Sequence, residues 1–395
     1  LGNIWRFPYL AAKYGGGIFL LVYIILALTF GYTLIMAETS LGRMTRKSPV
    51  GAFESFGNSR FISIGGWINA IIPILIVPYY SVIGGWVIKY LIEYFAGHSK
   101  TLAGDAYFTT FISNGWSTEI CFIIFTLFTL GIIYAGVRNG IERVSKFMMP
   151  ILIVLSLIIA VYSVTRPGAI EGVKYFLVPN FDHFSWMTVV SAMGQMFYSL
   201  SIAMGILITF GSYMKKDTSI EKSTENVEIF DTAIAIMAGL MIIPAVFAFS
   251  GGNAETLKSG PALMFITIPK VFANMGFGTA IGIVFFLLVL FAAVTSSIAL
   301  TESAVSTFED ELHWSRKKST VFMGMVMLLL GTLSCLGYGP LANFKILGMQ
   351  FLDFFDFITN SVMMPIAAIA TCLLVSKVVG VDKIEEEIKK DGQAF

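Results

Sequence analysis

Nine stretches of the chain hold no charged residue at all: 17–37, 61–88, 120–137, 147–165, 184–214, 232–253, 271–301, 319–344 and 357–376. Crossing the ~30 Å hydrocarbon core of a bilayer takes about 20 apolar residues in a helix. Every run is about that long or longer, and in lipid a backbone must satisfy its own hydrogen bonds, which a helix does within one segment. Composition agrees, with 56% hydrophobic and 13% charged residues among 395 and a mean hydropathy of +0.80; a soluble domain carries about 25% charged residues. The fold class expected is an all-α polytopic membrane protein, and the opening stretch, taken as half a span, makes ten helices.

Loop charges set the orientation. If run 17–37 points inward, the inner loops carry Arg43, Arg46, Lys47, Arg60, Arg138, Arg143, Lys146, Lys215, Lys216, Lys222, Arg316, Lys317 and Lys318. The outer loops then carry Lys100, Arg166, Lys174, Lys258, Lys270 and Lys345. Thirteen against six is a positive-inside bias. It predicts a plasma-membrane protein with its amino terminus and the tail 379–395 in the cytoplasm, the tail forming a polar surface helix.

Other classes fall away. A net charge of +1 carries no signal for nucleic acid. Cys121, Cys335 and Cys372 stand alone in or beside apolar runs, suggesting neither disulfides nor a metal site. His98, His183 and His313 fall in expected loops. No nucleophile, base or metal set converges, so no enzyme is expected.

Two stretches resist a plain helix. Leu1-Gly2-Asn3-Ile4-Trp5-Arg6-Phe7-Pro8-Tyr9, followed by Gly15-Gly16-Gly17, crowds polar and helix-breaking residues into apolar sequence. Such groups are costly in lipid unless they face a polar cavity. Run 184–214 has 31 residues, ~46 Å as a straight helix, so it must tilt, overhang or break. Its centre, Gln195-Met196-Phe197-Tyr198-Ser199-Leu200-Ser201-Ile202-Ala203-Met204-Gly205, suits an unwound segment whose freed backbone groups bind solutes. Equally, its serines could bond back to carbonyls one turn earlier.

The opening string resembles the first-helix signature of the neurotransmitter:sodium symporter family, in particular its bacterial amino-acid transporters. Residues 195–205 resemble that family's sixth-helix motif, with Ala203 where Gly is usual, and Thr295-Ser296-Ser297 with Phe308-Glu309-Asp310-Glu311 downstream resembles its eighth helix. The resemblance implies an inverted five-plus-five helix repeat, residues 1–165 and 183–378, with discontinuous helices 1 and 6. It also implies a fragment that lacks the start of helix 1 and any helices after 10.

The activity implied is sodium-coupled import of neutral hydrophobic or aromatic L-amino acids by alternating access. A carrier of another amine or osmolyte, or less simply an ion channel, are the alternatives. Two sodium ions are expected, since a hard cation wants oxygen ligands. The first site takes Asn3, Ser199 and Asp231, although Asp231 at the head of a run also reads as a boundary carboxylate facing water. The second takes the Ala292 carbonyl with Thr295 and Ser296, where packing between helices is the plainer reading. The resemblance places substrate among Asn3, Ile76, Tyr80, Tyr198, Ser199, Ser201, Met204, Ser296 and Leu300, with Tyr198 as a lid.

The chloride-type site of animal relatives maps to Tyr23, Gln195, Ser199 and Ala235. Ala235 brings no hydroxyl and Asp231 brings a fixed charge, so chloride independence is expected. Arg6, one turn outward from Asn3, and Asp356 are expected to form a gate that pairs when the outer path closes; snorkelling by both is the alternative. Partners expected are the amino-acid substrate, sodium and the bilayer, with the protein a monomer or weak homo-oligomer.

Overall fold

A computed structural model describes residues 2–252 and 262–390. The described residues are helical, and their one β-type pairing is the isolated bridge between Ile346 and Met349. Helix α1 (Gly2–Lys13) turns through Gly15 and Gly16 into α2 (Gly17–Thr45). Next come α3 (Arg60–Phe95), α4 (Gly115–Tyr134) and α5 (Val137–Val164). Run 184–214 forms two helices, α6 (Trp186–Ser199) and α7 (Ile206–Ser212). Then follow α8 (Ile220–Ser250), α9 (Gly278–Leu312), α10 (Arg316–Leu336), α11 (Phe351–Val379) and the tail helix α12 (Val381–Lys389). Eight of these, α2 to α5 and α8 to α11, are long and apolar enough to cross a membrane.

Local sequence explains most boundaries. The side chains of Ser59, Asn114, Ser219 and Ser315 accept backbone N–H groups at the starts of α3, α4, α8 and α10, filling orphan donors of the first turn. Apolar run 319–344 outlasts its helix, which stops at Leu336 before Gly337, Gly339 and Pro340. Run 271–301 starts as a separate short helix, Ile268–Ala273, and turns at Phe277 (φ 60°) into α9, which continues past the last uncharged residue to Leu312. Position 253, Lys258, Leu1 and residues 391–395 of the tail lie outside the described residues, whereas the opening string, expected to resist a plain helix, forms one from Gly2 to Lys13 with Pro8 inside it.

Helix α3 forms the axis of the fold. Its Trp86, Tyr90 and Tyr94 are buried, and they pack edge-on or stacked against Phe265, Phe286 and Phe108. Ile120, Leu127 and Phe128 of α4 and Leu329 of α10 instead point outward, as a lipid-facing surface requires. The tail is less superficial than expected: Ile384 packs with Leu41, Ile208 and Leu374, and Glu387 is buried.

Candidate functional site

The break between α6 and α7 organises the site. Helical bonding runs to Leu200, whose N–H reaches the Met196 carbonyl at 3.0 Å. Ser201 (φ 59°), Ala203 (φ 64°) and Gly205 (φ 75°) then turn left-handed, a conformation that costs a non-glycine residue roughly 1–2 kcal/mol. What holds Ala203 there is Glu38 of α2, whose Oε1 accepts the Ala203 N–H at 3.0 Å. Glu38 is 1% exposed, and sequence reading missed it. Standing one residue beyond run 17–37, it reads as a span's end, yet α2 runs on to Thr45.

Beside the break, Asp231 of α8 gathers three donors. Tyr23 donates its hydroxyl at 2.5 Å, the Asn3 amide donates at 3.0 Å and the Ser199 hydroxyl at 3.4 Å. Tyr23 and Ser199 hydroxyls are 2.6 Å apart. Asp231 therefore faces inward to other helices, rather than outward to water as a boundary carboxylate. Its charge meets neutral donors, with no ion pair among the described residues. Asn3 Oδ1 and Gln195 Oε1 are buried without a hydrogen-bond partner, and Gln195 Nε2 reaches the Gly2 carbonyl at 3.4 Å. Ala235, one turn along α8, is fully buried and contributes no polar atom.

One cavity is lined by Asn3, Ile76, Tyr80, Tyr198, Ser199, Ser201, Met204, Ser296 and Leu300 together with Gly2, Ile206 and Ala299. The last three were not anticipated. Such a wall, in which apolar side chains face converging hydroxyls and an amide, can hold a small molecule that is part polar and part apolar. A second cavity takes Ala292, Thr295 and Ser296 along with Asn3, Ser199 and Asp231, so the two expected ion sites share one space. Thr295 donates back to the carbonyls of Phe291 at 3.0 Å and Ala292 at 3.1 Å, which leaves its oxygen lone pairs to accept or ligate.

Arg6 and Asp356 do not pair. The Arg6 guanidinium lies over the Tyr198 ring, 5.0 Å from its centroid, while Asp356 accepts from Asn360 Nδ2 at 2.6 Å and the Tyr79 hydroxyl at 3.2 Å. Tyr79 and Asn360 escaped sequence reading because a tyrosine or amide in an apolar helix carries no signal of its partner. Glu228, one turn inward of Asp231, was also missed; it is buried with both carboxyl oxygens lacking a hydrogen-bond partner.

Comparison with known proteins agrees with this architecture. The family model described as the sodium:neurotransmitter symporter family matches residues 1–123 and 110–392. An uncharacterized sodium-dependent transporter of Bacillus subtilis, YhdH, is 33% identical over 397 residues, which cover 100% of this chain and 87% of the relative. The sodium-dependent dopamine transporter of Bos taurus is 25% identical over 405 residues, covering 88% of this chain and 57% of that protein. A crystal structure of MhsT in complex with L-phenylalanine matches with a TM-score of 0.88 at 35% identity, covering 98% of this chain and 88% of that one. With the family model spanning nearly the whole chain and an interrupted helix at its centre, the protein belongs to the sodium:neurotransmitter symporter family.

Proposed function

We propose that the chain is a sodium-coupled symporter that carries neutral hydrophobic or aromatic L-amino acids inward by alternating access. The observation that carries this reading is Asp231, a carboxylate beside an unwound helix held by three neutral donors, two of which, Asn3 and Ser199, also line the cavity. A sodium ion would take Asp231, Ser199 and the unpartnered Asn3 Oδ1; a second would take the Ala292 carbonyl, Thr295 and Ser296. The substrate carboxylate would complete the first shell and meet the Tyr80 hydroxyl, so ion and substrate bind more tightly together than apart. Met204, Ile76, Leu300 and Ala299 offer the side chain an apolar wall, in keeping with the L-phenylalanine bound to MhsT. Helices α1, α2, α6, α7 and α8 then rock as a bundle, with the amino terminus and tail on the cytoplasmic side.

Proteoliposomes under an inward sodium gradient should accumulate labelled L-phenylalanine and lose accumulation when potassium replaces sodium. Because Asp231 supplies a fixed negative charge where Ala235 offers no anion ligand, replacing chloride by gluconate should leave the initial rate within about twofold. A large loss would overturn that part of the reading. Uptake that proceeds without sodium would overturn the whole.

Gly2 gives a second check. A Cβ there would lie 2.4 Å from Tyr198 Cε1 and 2.6 Å from Cδ1, and Arg6 stacks on the same ring. Gly2→Ala must push the ring aside and give up that cation–π contact, worth about 0.5–2 kcal/mol. The KM for amino acid should rise about 3- to 30-fold. An unchanged KM would mean that Tyr198 does not close the cavity.

A further inference from the structure

At the cytoplasmic end of α2, Arg43 is fully buried. Its Nε donates to Glu387 Oε1 at 2.8 Å and one Nη to the Glu387 carbonyl at 2.6 Å. The other Nη donates to the carbonyls of Thr218 at 2.6 Å and Lys215 at 3.3 Å, in the loop between α7 and α8. Three elements far apart in sequence therefore meet on one guanidinium, and Glu387 itself is 2% exposed. From these contacts we infer that the tail helix α12 is a strap across the cytoplasmic end of the transport path, fastened by Arg43 and Glu387, which must release for the path to open inward. This rests on the alternating-access reading above.

The strap joins two bodies. On one side, α2 and α7 lie backbone against backbone: a Cβ on Gly42 would sit 2.0 Å from the Ile208 carbonyl oxygen, and one on Gly211 would sit 2.4 Å from that of Thr39. They move as a unit, and Arg43 is the next residue after Gly42. On the other side, α12 continues α11 through Gly380 (φ 88°), and α11 packs on α3, where a Cβ on Gly65 would meet Ala370 Cβ at 3.1 Å. Between the two bodies stand the guanidinium clamp and a small apolar seam in which Ile384 joins Leu41, Ile208 and Leu374. Rocking the bundle of α1, α2, α6, α7 and α8 against the rest pulls on this seam.

A clamp built from buried charges has two discrete states. With partners in place, a guanidinium with a carboxylate and carbonyls is well satisfied; parted without water, each charge is costly. Release is therefore coupled to hydration of the seam, which is what inward opening supplies. The groups facing Glu387 are Arg43 of α2 and Lys390, whose Nζ is 2.9 Å away. Burial pushes the Glu387 carboxyl up, but Lys390 and Arg43 together hold it below the usual carboxylate range. A depressed acid contributes stability above its ordinary pKa and loses it as pH falls through the lowered value. The clamp is thus closed at neutral pH and weakens only in acid.

Spin labels on Asp217→Cys in the α7–α8 loop and Glu386→Cys on the tail, both exposed, report the seam in full-length protein whose three native cysteines are replaced by serine. Pulsed-EPR distances should show one short population with sodium and L-phenylalanine. Glu387→Gln keeps an acceptor but removes the charge; it should raise a longer-distance population about tenfold, while the KM for external amino acid, which follows the competent fraction that remains, rises by no more than about twofold. Arg43→Lys, which keeps the charge but loses the fork, should move both readouts the same way. Unchanged distances and KM in both folded variants overturn the strap. So does loss of sodium-dependent stabilisation by amino acid with no new distance, which marks a purely structural role. Should wild type prove not to carry amino acids, the distances compared with and without sodium still report whether the seam opens.

Discussion

Asp231→Asn should weaken sodium binding about 30- to 150-fold while leaving the protein folded. The carboxylate is the charged oxygen in the space shared by Asn3, Ser199 and Thr295, and its three donors are all neutral. Removing the charge forfeits a cation–carboxylate contact worth roughly 2–3 kcal/mol. The asparagine amide also turns an NH2 toward Tyr23 or Asn3, both of which are donors to this carboxyl. Sodium titrated against thermal stability, or against binding of labelled L-phenylalanine, reads the shift; a change under threefold would place the ion elsewhere. The same logic yields a companion result. Adding Ala235→Ser to Asp231→Asn supplies a hydroxyl one turn along α8 in place of the lost charge, so chloride should then stimulate uptake, in contrast to the chloride independence proposed for wild type.

How far the sequence reveals this site depends on what each residue must do. The overlong run 184–214 announces a break because no bilayer needs ~46 Å of helix, and the small residues at its centre say where. Ala203 shows why the break does not hinge on one glycine: the left-handed turn persists at a residue with a Cβ because Glu38 holds its N–H. Glu38 and Arg43 were invisible for a common reason. Hydropathy measures the cost of entering lipid, whereas these side chains enter protein, where a partner on another helix decides. Arg43 enters the charge count as an inner-side residue and is nonetheless fully buried. Likewise, which tyrosine or amide Arg6 and Asp356 each meet is a matter of packing.

Glu38→Ala should abolish transport, with a clear fall in melting temperature, whereas Glu38→Gln should keep transport within about fivefold. Alanine removes the acceptor of the Ala203 N–H in the middle of the membrane, where an unsatisfied backbone group costs several kcal/mol. With that bond gone, nothing offsets the left-handed strain at Ala203, and the segment that presents Ser199, Ser201 and Met204 to the cavity is free to repack. Glutamine keeps a carbonyl oxygen where Oε1 stands. Its NH2 falls where Oε2 now lies buried with no hydrogen-bond partner, so one unpartnered atom replaces another and the net change is about 1 kcal/mol. Uptake and thermal unfolding measured on both variants separate the two roles open to a buried carboxyl. A glutamine variant as inactive as the alanine one would show that the charge of Glu38 matters and not the bond it accepts, and the shape of the break would then need another cause.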